Sequence, residues 1–184
     1  MKIALAQFNP TVGDFAGNSA RILELAAQAK QRGADLAVFT ELCLCGYPPQ
    51  DLLERPSFVR RNRDELQKLA KALPMPSIVG YAAATKNGRG KGVANTAAFV
   101  RDGAVVFEQN KMLLPTYDVF DESRYFQPAE KQCTFAFGAE NLGITISSHK
   151  GGAFQQILRR VAAQTKLGKH CQIRATLPSL RGQL

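Results

Sequence analysis

Short apolar runs alternate with longer segments of helical periodicity along the first 146 residues of this 184-residue chain. Apolar positions recur at helical spacing from about Asn18 to Gly33 and from Ser57 to Leu73. The apolar runs predict strands at Lys2–Gln7, Ala34–Phe39, Ser77–Ala84, Asn95–Arg101, Ala104–Asn110, Gln132–Phe137 and Leu142–Ile146. This order of helices and strands predicts a layered α/β domain.

Cap and turn residues mark the ends of several elements. Asn18 is a suitable N-cap for the first helix, and Gly33 is a suitable stop after its last turn. Asp102-Gly103 separates two apolar strands, which predicts a tight β-hairpin. Between Glu41 and Pro56 one glycine and two prolines interrupt regular structure, so we expect a loop there.

Two charged residues stand at the ends of predicted strands. Glu41 follows the strand Ala34–Phe39, and Lys111 follows Ala104–Asn110. Functional groups of α/β proteins gather at strand ends, where loops can enclose a substrate. A Glu or Lys in such a place is more often a solvated surface residue, so the surrounding sequence has to decide between the two readings.

Charge is distributed unevenly along the chain, whose formal net charge is +9. Residues 1–146 carry 17 Lys and Arg against 15 Asp and Glu, whereas residues 147–184 carry 7 Lys and Arg, both histidines and no carboxylate. Globular surfaces mix both signs. The basic segment is therefore a tail, a binding arm or the product of a different reading frame.

The composition also bounds the class of protein. No apolar run approaches the roughly 20 residues of a membrane span, and no signal-peptide pattern opens the chain, so we expect a soluble, cytoplasmic protein. The cysteines lack the spacing of a zinc site or a disulfide framework, and we expect reduced thiols and no metal. They are Cys43, Cys45, Cys133 and Cys171.

Two strings surround the strand-end residues: FTELCLCGYPPQDLL at Phe39–Leu53 and NKMLLPTYDVFDE at Asn110–Glu122. They closely resemble the nitrilase-type carbon–nitrogen hydrolases and, within these, the glutamine-hydrolysing amidase domain that opens glutamine-dependent NAD synthetases. The segments Lys2–Asp14, Arg124–Phe126 and Leu142–Ile146 share the resemblance. The YPPxDLL continuation is typical of the NAD synthetase branch.

The resemblance implies a partial four-layer α-β-β-α sandwich, incomplete at the C-terminus, and a Glu-Lys-Cys catalytic triad. Glu41 would be the general base and Lys111 would hold the oxyanion of the tetrahedral intermediate. Tyr47 and Tyr117 would line the substrate pocket or the ammonia exit, and Glu122 would position Lys111 or the substrate. For these last three residues, packing is an equally open explanation.

The family's nucleophilic cysteine is expected immediately after Ile146, where this chain has Ser147. The departure coincides with the change in charge, which favours an interrupted reading frame. On this interpretation residues 1–146 are an incomplete hydrolase domain, and residues 147–184 are a disordered or irregular basic tail outside the family. A serine hydroxyl is a much weaker acid than a thiol, so Ser147 is not expected to function.

Two functions follow as hypotheses. The first is a glutamine amidohydrolase domain, inactive in this chain, that in the family needs no cofactor and supplies ammonia to an oligomeric synthetase. ATP and deamido-NAD would belong to the missing synthetase domain. The alternative is a non-catalytic nitrilase-like module that binds nucleic acid or another anionic partner through its basic tail, where a helix from Phe154 to Leu167 is possible.

Overall fold

The computed structural model describes residues 1–85, 91–115 and 121–146, and the backbone of 156–161. The helices are α1 (Phe15–Gln31), α2 (Pro56–Ala72) and the single turn α3 (Glu122–Tyr125), with a 3₁₀ turn at Gln50–Glu54. The strands are β1 (Ile3–Ala6), β2 (Leu36–Phe39), β3 (Ser77–Ala84), β4 (Val93–Arg101), β5 (Ala104–Asn110), β6 (Thr134–Phe137), β7 (Glu140–Ile146) and β8 (Gln156–Val161).

The strands form two sheets. The larger has the order β1-β2-β3-β4-β5, in which β1, β2 and β3 are parallel and the β3–β4 and β4–β5 pairs are antiparallel. The smaller sheet is antiparallel, with the order β6-β7-β8. The parallel strands are connected through α1 and α2, because such a crossover needs a dozen or more residues.

The alternation of side chains along β2 shows how the layers pack. Ala37 and Phe39 face α1 and α2, whereas Leu36 and Val38 face the smaller sheet. Phe99 stacks on Phe135 between the two sheets, with ring centroids 4.4 Å apart. The result is an α-β-β arrangement, which confirms the α/β layered class; the described part of the chain includes no second helical layer.

The start of α1 differs from the prediction. Asp14, not Asn18, is the N-cap, and its Oδ1 accepts the Gly17 N–H at 2.9 Å. Asn18 lies inside the helix and is buried; its Nδ2 donates to the carbonyls of Thr11 and Leu44 at 2.8 and 3.1 Å. Asn18 therefore joins the start of α1 to the loop after β2, a role that its sequence position does not reveal because Leu44 is 26 residues away. The Gly33 stop is confirmed in the left-handed conformation, with φ +73°.

The hairpin at Asp102-Gly103 is also confirmed. Both residues have positive φ, 52° and 78°, as a two-residue type I′ turn requires. The bounds of β3 and β5 agree with those predicted from the apolar runs, and the other strands differ by one to two residues at an end.

The backbone at Gln156–Val161 is a strand, so the helix considered possible from Phe154 to Leu167 does not form over these residues. They pair antiparallel with β7, from Ile146 opposite Gln156 to Asn141 opposite Val161. The unpaired backbone groups along the edge of β7 explain this outcome, because pairing satisfies them. The rest of the basic segment lies outside the described residues. The division of the chain into a hydrolase domain that ends at Ile146 and a tail outside the family stays a prediction.

The cysteines divide into two kinds. Cys43 and Cys45 are free and buried in the core beneath the helices, as expected for packing residues. Cys133 is disulfide-bonded, so the expectation of a reduced thiol is wrong there. Spacing along the chain does not reveal which cysteines approach in space. Among the described residues, no helix is long and apolar enough to cross a membrane.

The loop after β2 depends on Gly46, whose φ is +83°. A Cβ at this position would lie 2.6 Å from the Cα of Val12, against the backbone of a neighbouring loop. Gly33 also has positive φ but has open space around it. Because Gly46→Ala adds a backbone collision to the strain of a left-handed alanine, we expect it to lower the free energy of unfolding by about 3 kcal/mol.

Gly33→Ala is the matched control for this experiment. It introduces only the left-handed strain, which costs about 1 kcal/mol. Urea denaturation followed by circular dichroism measures both variants. Equal losses for the two would contradict a close approach of the loop to Val12.

Candidate active site

The topology brings three polar residues to one edge of the larger sheet. Glu41 follows the carboxyl end of β2, Asn95 lies near the start of β4, and Lys111 follows β5. Because β4 is antiparallel to both β3 and β5, its beginning lies beside the end of β5. The Lys111 N–H accordingly donates to the Asn95 carbonyl at 2.8 Å.

Lys111 is the centre of a buried ionic cluster. Its Nζ lies 2.7 Å from Oε1 of Glu41, and 3.0 and 2.8 Å from Oε1 and Oε2 of Glu122. The side chains of Lys111 and Glu41 are 1% exposed and that of Glu122 is 5% exposed. One ammonium therefore faces two carboxyl groups in a site that excludes water.

Two neutral side chains complete the cluster. Nδ2 of Asn95 donates to Oε1 of Glu41, and the Tyr47 hydroxyl donates to Oε1 of Glu122 at 3.1 Å. Oε2 of Glu41 and Oδ1 of Asn95 are buried and accept no hydrogen bond from any residue in the described ranges. Unsatisfied buried acceptors are uncommon in folded proteins, and a catalytic role is one of the accepted explanations for them.

Burial raises the pKa of Glu41 from its ordinary value of 4.5 to about 7. The positive charge of Lys111 opposes this rise, and the negative charge of Glu122 adds to it. A carboxyl with a pKa near neutrality can both accept and return a proton at physiological pH. The cluster therefore has the electrostatics of a general base.

The loop that follows Glu41 is held in a strained conformation. Leu42 is a non-glycine residue with φ 48°, and its carbonyl accepts the Gly46 N–H at 2.8 Å. The Leu44 N–H donates to the carbonyl of Gly80 in β3 at 3.1 Å. These bonds turn the chain sharply after β2, so that Glu41 enters the site while the residues after it enter the core.

The segment that carries Glu122 crosses the same edge of the sheet. The Glu122 N–H donates to the carbonyl of Pro115 at 3.2 Å, and the Ala129 N–H donates to the carbonyl of Lys111 at 2.9 Å. The Gln127 N–H donates to Val93 at the start of β4, at 2.7 Å. Main-chain bonds on both sides of α3 thus fix the position of its carboxylate.

Sequence reasoning missed two buried polar residues. Asn95 contacts Glu41 directly, and Gln109 accepts the Cys133 N–H at 2.9 Å and donates to the Lys131 carbonyl at 3.0 Å. Asn95 lies near the start of β4, which is otherwise mostly apolar, whereas Gln109 lies between Glu108 and Asn110 at the polar end of β5. For Asn95 the available signal was a polar side chain in a mostly apolar strand, because burial requires it to have a partner. The sequence of β5 gave no such signal for Gln109.

The structure brings Glu41, Lys111, Glu122 and Tyr47 together, and the roles assigned to them stay predictions. Tyr117 and Ser147 lie outside the described residues. β7 ends at Ile146, and Nε2 of Gln132 donates to the Ile144 carbonyl at 2.7 Å. Among the described residues there is no group of three or more His, Cys, Asp or Glu side chains that could hold a metal ion.

Residues 2–168 match the model of the carbon-nitrogen hydrolase family. The chain belongs to this family. The match extends beyond Ile146, the end of the predicted family domain. Members of this family are enzymes, so the chain is an enzyme by family.

Curated relatives include the glutamine-dependent NAD(+) synthetase of Synechocystis sp., 48% identical over 151 residues, with 78% of this chain and 27% of the relative covered. The corresponding protein of Xylella fastidiosa (strain Temecula1) is 36% identical, with 96% and 34% covered. This chain thus spans about a quarter to a third of their length. The solved structure of the Acinetobacter baumannii glutamine-dependent NAD+ synthetase superposes with TM-score 0.71 at 37% identity, covering 78% of this chain and 27% of that one.

The raised pKa of Glu41 has a consequence for stability. The folded chain holds the Glu41 proton up to about pH 7, whereas the unfolded chain releases it near pH 4.5. Stability from this group is therefore complete below pH 4.5 and is lost as the pH rises to about 7. We expect a loss of about 3 kcal/mol over this window, absent from Glu41→Gln. Urea denaturation at a series of pH values measures it.

Glu24→Gln is the matched control, since Glu24 is half exposed and pairs with Arg21 on the surface of α1. It makes the same chemical change without burial and is expected to preserve the pH dependence of the unmodified chain. If the free energy of unfolding changed equally with pH in the unmodified chain and in Glu41→Gln, the Glu41 carboxyl would not titrate in this window.

Proposed function

We propose that this chain is a glutaminase-type carbon-nitrogen hydrolase domain that retains the charged half of its catalytic site and does not itself turn over glutamine. The observation that carries this proposal is the buried cluster in which Lys111 Nζ lies 2.7 Å from Glu41 and 2.8 Å from Glu122. Desolvating three ionisable groups is costly and not needed for stability, so a chemical role is the better explanation.

The chemistry of the cluster follows from its groups. Glu41 removes the proton of a nucleophile, and the nucleophile attacks the side-chain amide carbon of glutamine. Lys111 stabilises the oxyanion of the tetrahedral intermediate with its charge. Glu41 then gives this proton to the leaving nitrogen, and ammonia departs as the carbonyl re-forms. Water, deprotonated by Glu41, attacks the acylated nucleophile and releases glutamate, and the nucleophile regains its proton. Glu122 and the Tyr47 hydroxyl hold Lys111 in place for this step.

The nucleophile is the missing part. Ser147 occupies the position directly after β7, and a carboxylate is too weak a base to ionise a serine hydroxyl without an imidazole. Cys43 and Cys45 cannot replace it, because burial raises the pKa of each thiol to about 12. The Cys43 thiol also donates to the Gly80 carbonyl inside the core. Neither sulfur can supply a thiolate at neutral pH.

The relatives suggest the biological setting. Glutamine is the proposed substrate class, an oligomeric synthetase that consumes ammonia is the proposed partner, and the proposed location is the cytoplasm. The amide chemistry draws on side chains alone and needs no cofactor. The alternative, binding of nucleic acid or another anionic partner by the basic segment, stays a prediction. The structure describes only the backbone of Gln156–Val161 in this segment, and no described contact favours the binding function.

We expect no ammonia release when the purified chain is incubated with glutamine. A coupled glutamate dehydrogenase assay detects ammonia, with a glutamine-hydrolysing relative as positive control. The physical reason is that, within the described ranges, the residues that bond to Glu41 and Lys111 include no cysteine. Turnover that disappears in Glu41→Gln would contradict the proposed inactivity.

A cysteine introduced at position 147 tests whether the charged cluster can activate a nucleophile. We expect Ser147→Cys to react with a chloroketone analogue of glutamine at least about tenfold faster than Ser148→Cys, because position 147 is where the family's nucleophile is expected. Mass spectrometry of the labelled peptide gives the rates. Adding Glu41→Gln to Ser147→Cys should remove the difference. Equal labelling of the two cysteine variants would contradict a thiol-activating site.

A further inference from the structure

Asn95 bonds to the side chain of Glu41 and to the main chain of Lys111. Its side-chain Nδ2 donates to Oε1 of Glu41, the oxygen that also accepts from Lys111 Nζ at 2.7 Å. Its main-chain carbonyl accepts the Lys111 N–H at 2.8 Å. Asn95 is 1% exposed, so water does not replace these bonds. A single residue of β4 therefore fixes the base and the cation relative to each other.

The two oxygens of Glu41 have different surroundings. Oε1 receives two donors, whereas Oε2 is buried and accepts no hydrogen bond within the part of the chain that the structure describes. A proton on Oε1 would displace at least one donor, whereas a proton on Oε2 leaves both hydrogen bonds intact. Protonation is therefore favoured at Oε2.

We infer that Asn95 is a positioning residue for the general base: together with Lys111 it holds Oε1 of Glu41 and so leaves Oε2 as the oxygen that takes up the proton. This inference rests on the proposed function, in which Glu41 is the base of amide hydrolysis. When the nucleophile attacks, its proton forms an O–H bond at Oε2, and the electron pair of the broken bond stays on the nucleophile. Without Asn95, Lys111 alone holds Oε1, and the carboxyl group loses one of the two bonds that restrict its rotation.

The other charged groups that face Glu41 shift its pKa in opposite directions. Lys111 lowers the pKa of Glu41 and Glu122 raises it, while Tyr47 reaches the cluster through its hydrogen bond to Glu122. Asn95 favours the charged form, because its donor is stronger toward a carboxylate than toward a neutral carboxyl group. A residue that only filled space would have no such effect on the titration.

The first test uses the unmodified chain and needs no substrate. Carbon-13 NMR of the Glu41 carboxyl and nitrogen-15 NMR of the Asn95 side-chain amide are followed from about pH 5 to about pH 9, a range that spans the titration of the cluster. We expect both resonances to move with one midpoint, and Glu41→Gln to abolish the movement of the Asn95 amide. An Asn95 amide that ignores the titration of Glu41 would overturn the inference.

The second test removes the donor. Asn95→Leu has nearly the same volume, and we expect it to raise the Glu41 midpoint by about one pH unit, a tenfold weaker acid. Asn95→Asp retains the shape but not the donor and should also raise it. Thr96→Val is the control, because the Thr96 hydroxyl bonds to the Ala94 carbonyl and to Asn110, not to Glu41.

A midpoint for Asn95→Leu equal to that of Thr96→Val would overturn the positioning role. If Asn95→Leu does not fold, the amide titration of the unmodified chain still decides. None of these measurements depends on turnover. Their failure is therefore distinguishable from failure of the proposed function, which the glutamine and cysteine-variant assays test.

Discussion

A buried ammonium between two carboxyl groups is the constraint on which the rest of this structure depends. Without a cation, burial and the neighbouring Glu122 would both favour the neutral form of the Glu41 carboxyl group, because each raises its pKa. With Lys111 between them, one negative charge is balanced and the pKa of Glu41 settles near neutrality. The reactivity of the site is thus a property of the cluster and not of any one residue.

The fold meets the geometric demands of this cluster with main-chain bonds. The ends of β2 and β5 are separated in the sheet by β3 and β4, so the side chains of Glu41 and Lys111 meet across the sheet edge. The start of β4 lies between them, and the Lys111 N–H bond to Asn95 sets their separation. Close packing leaves the loop after β2 little conformational freedom, since Gly46 lies directly against the backbone at Val12.

The amino-acid pattern predicted the regular part of the fold well. The strand bounds, the hairpin at Asp102-Gly103 and the stop at Gly33 follow from local rules of burial and backbone conformation. The motif around Glu41 and Lys111 indicated two members of the site. The partners of Asn18, Asn95 and Gln109 could not be predicted in this way, because each bonds to residues distant in sequence.

The strand at Gln156–Val161 could not be predicted for the same physical reason. Helical periodicity is a local signal, whereas the edge of β7 is a tertiary one, and strand pairing prevailed. Glu41 and Lys111 follow strands of the five-stranded sheet, while position 147 follows a strand of the other sheet. The described contacts that join Glu41, Lys111 and Glu122 are made by residues that precede Ile146. Those contacts therefore involve none of the residues that follow β7, and a change of sequence after Ile146 leaves the groups that form them in place.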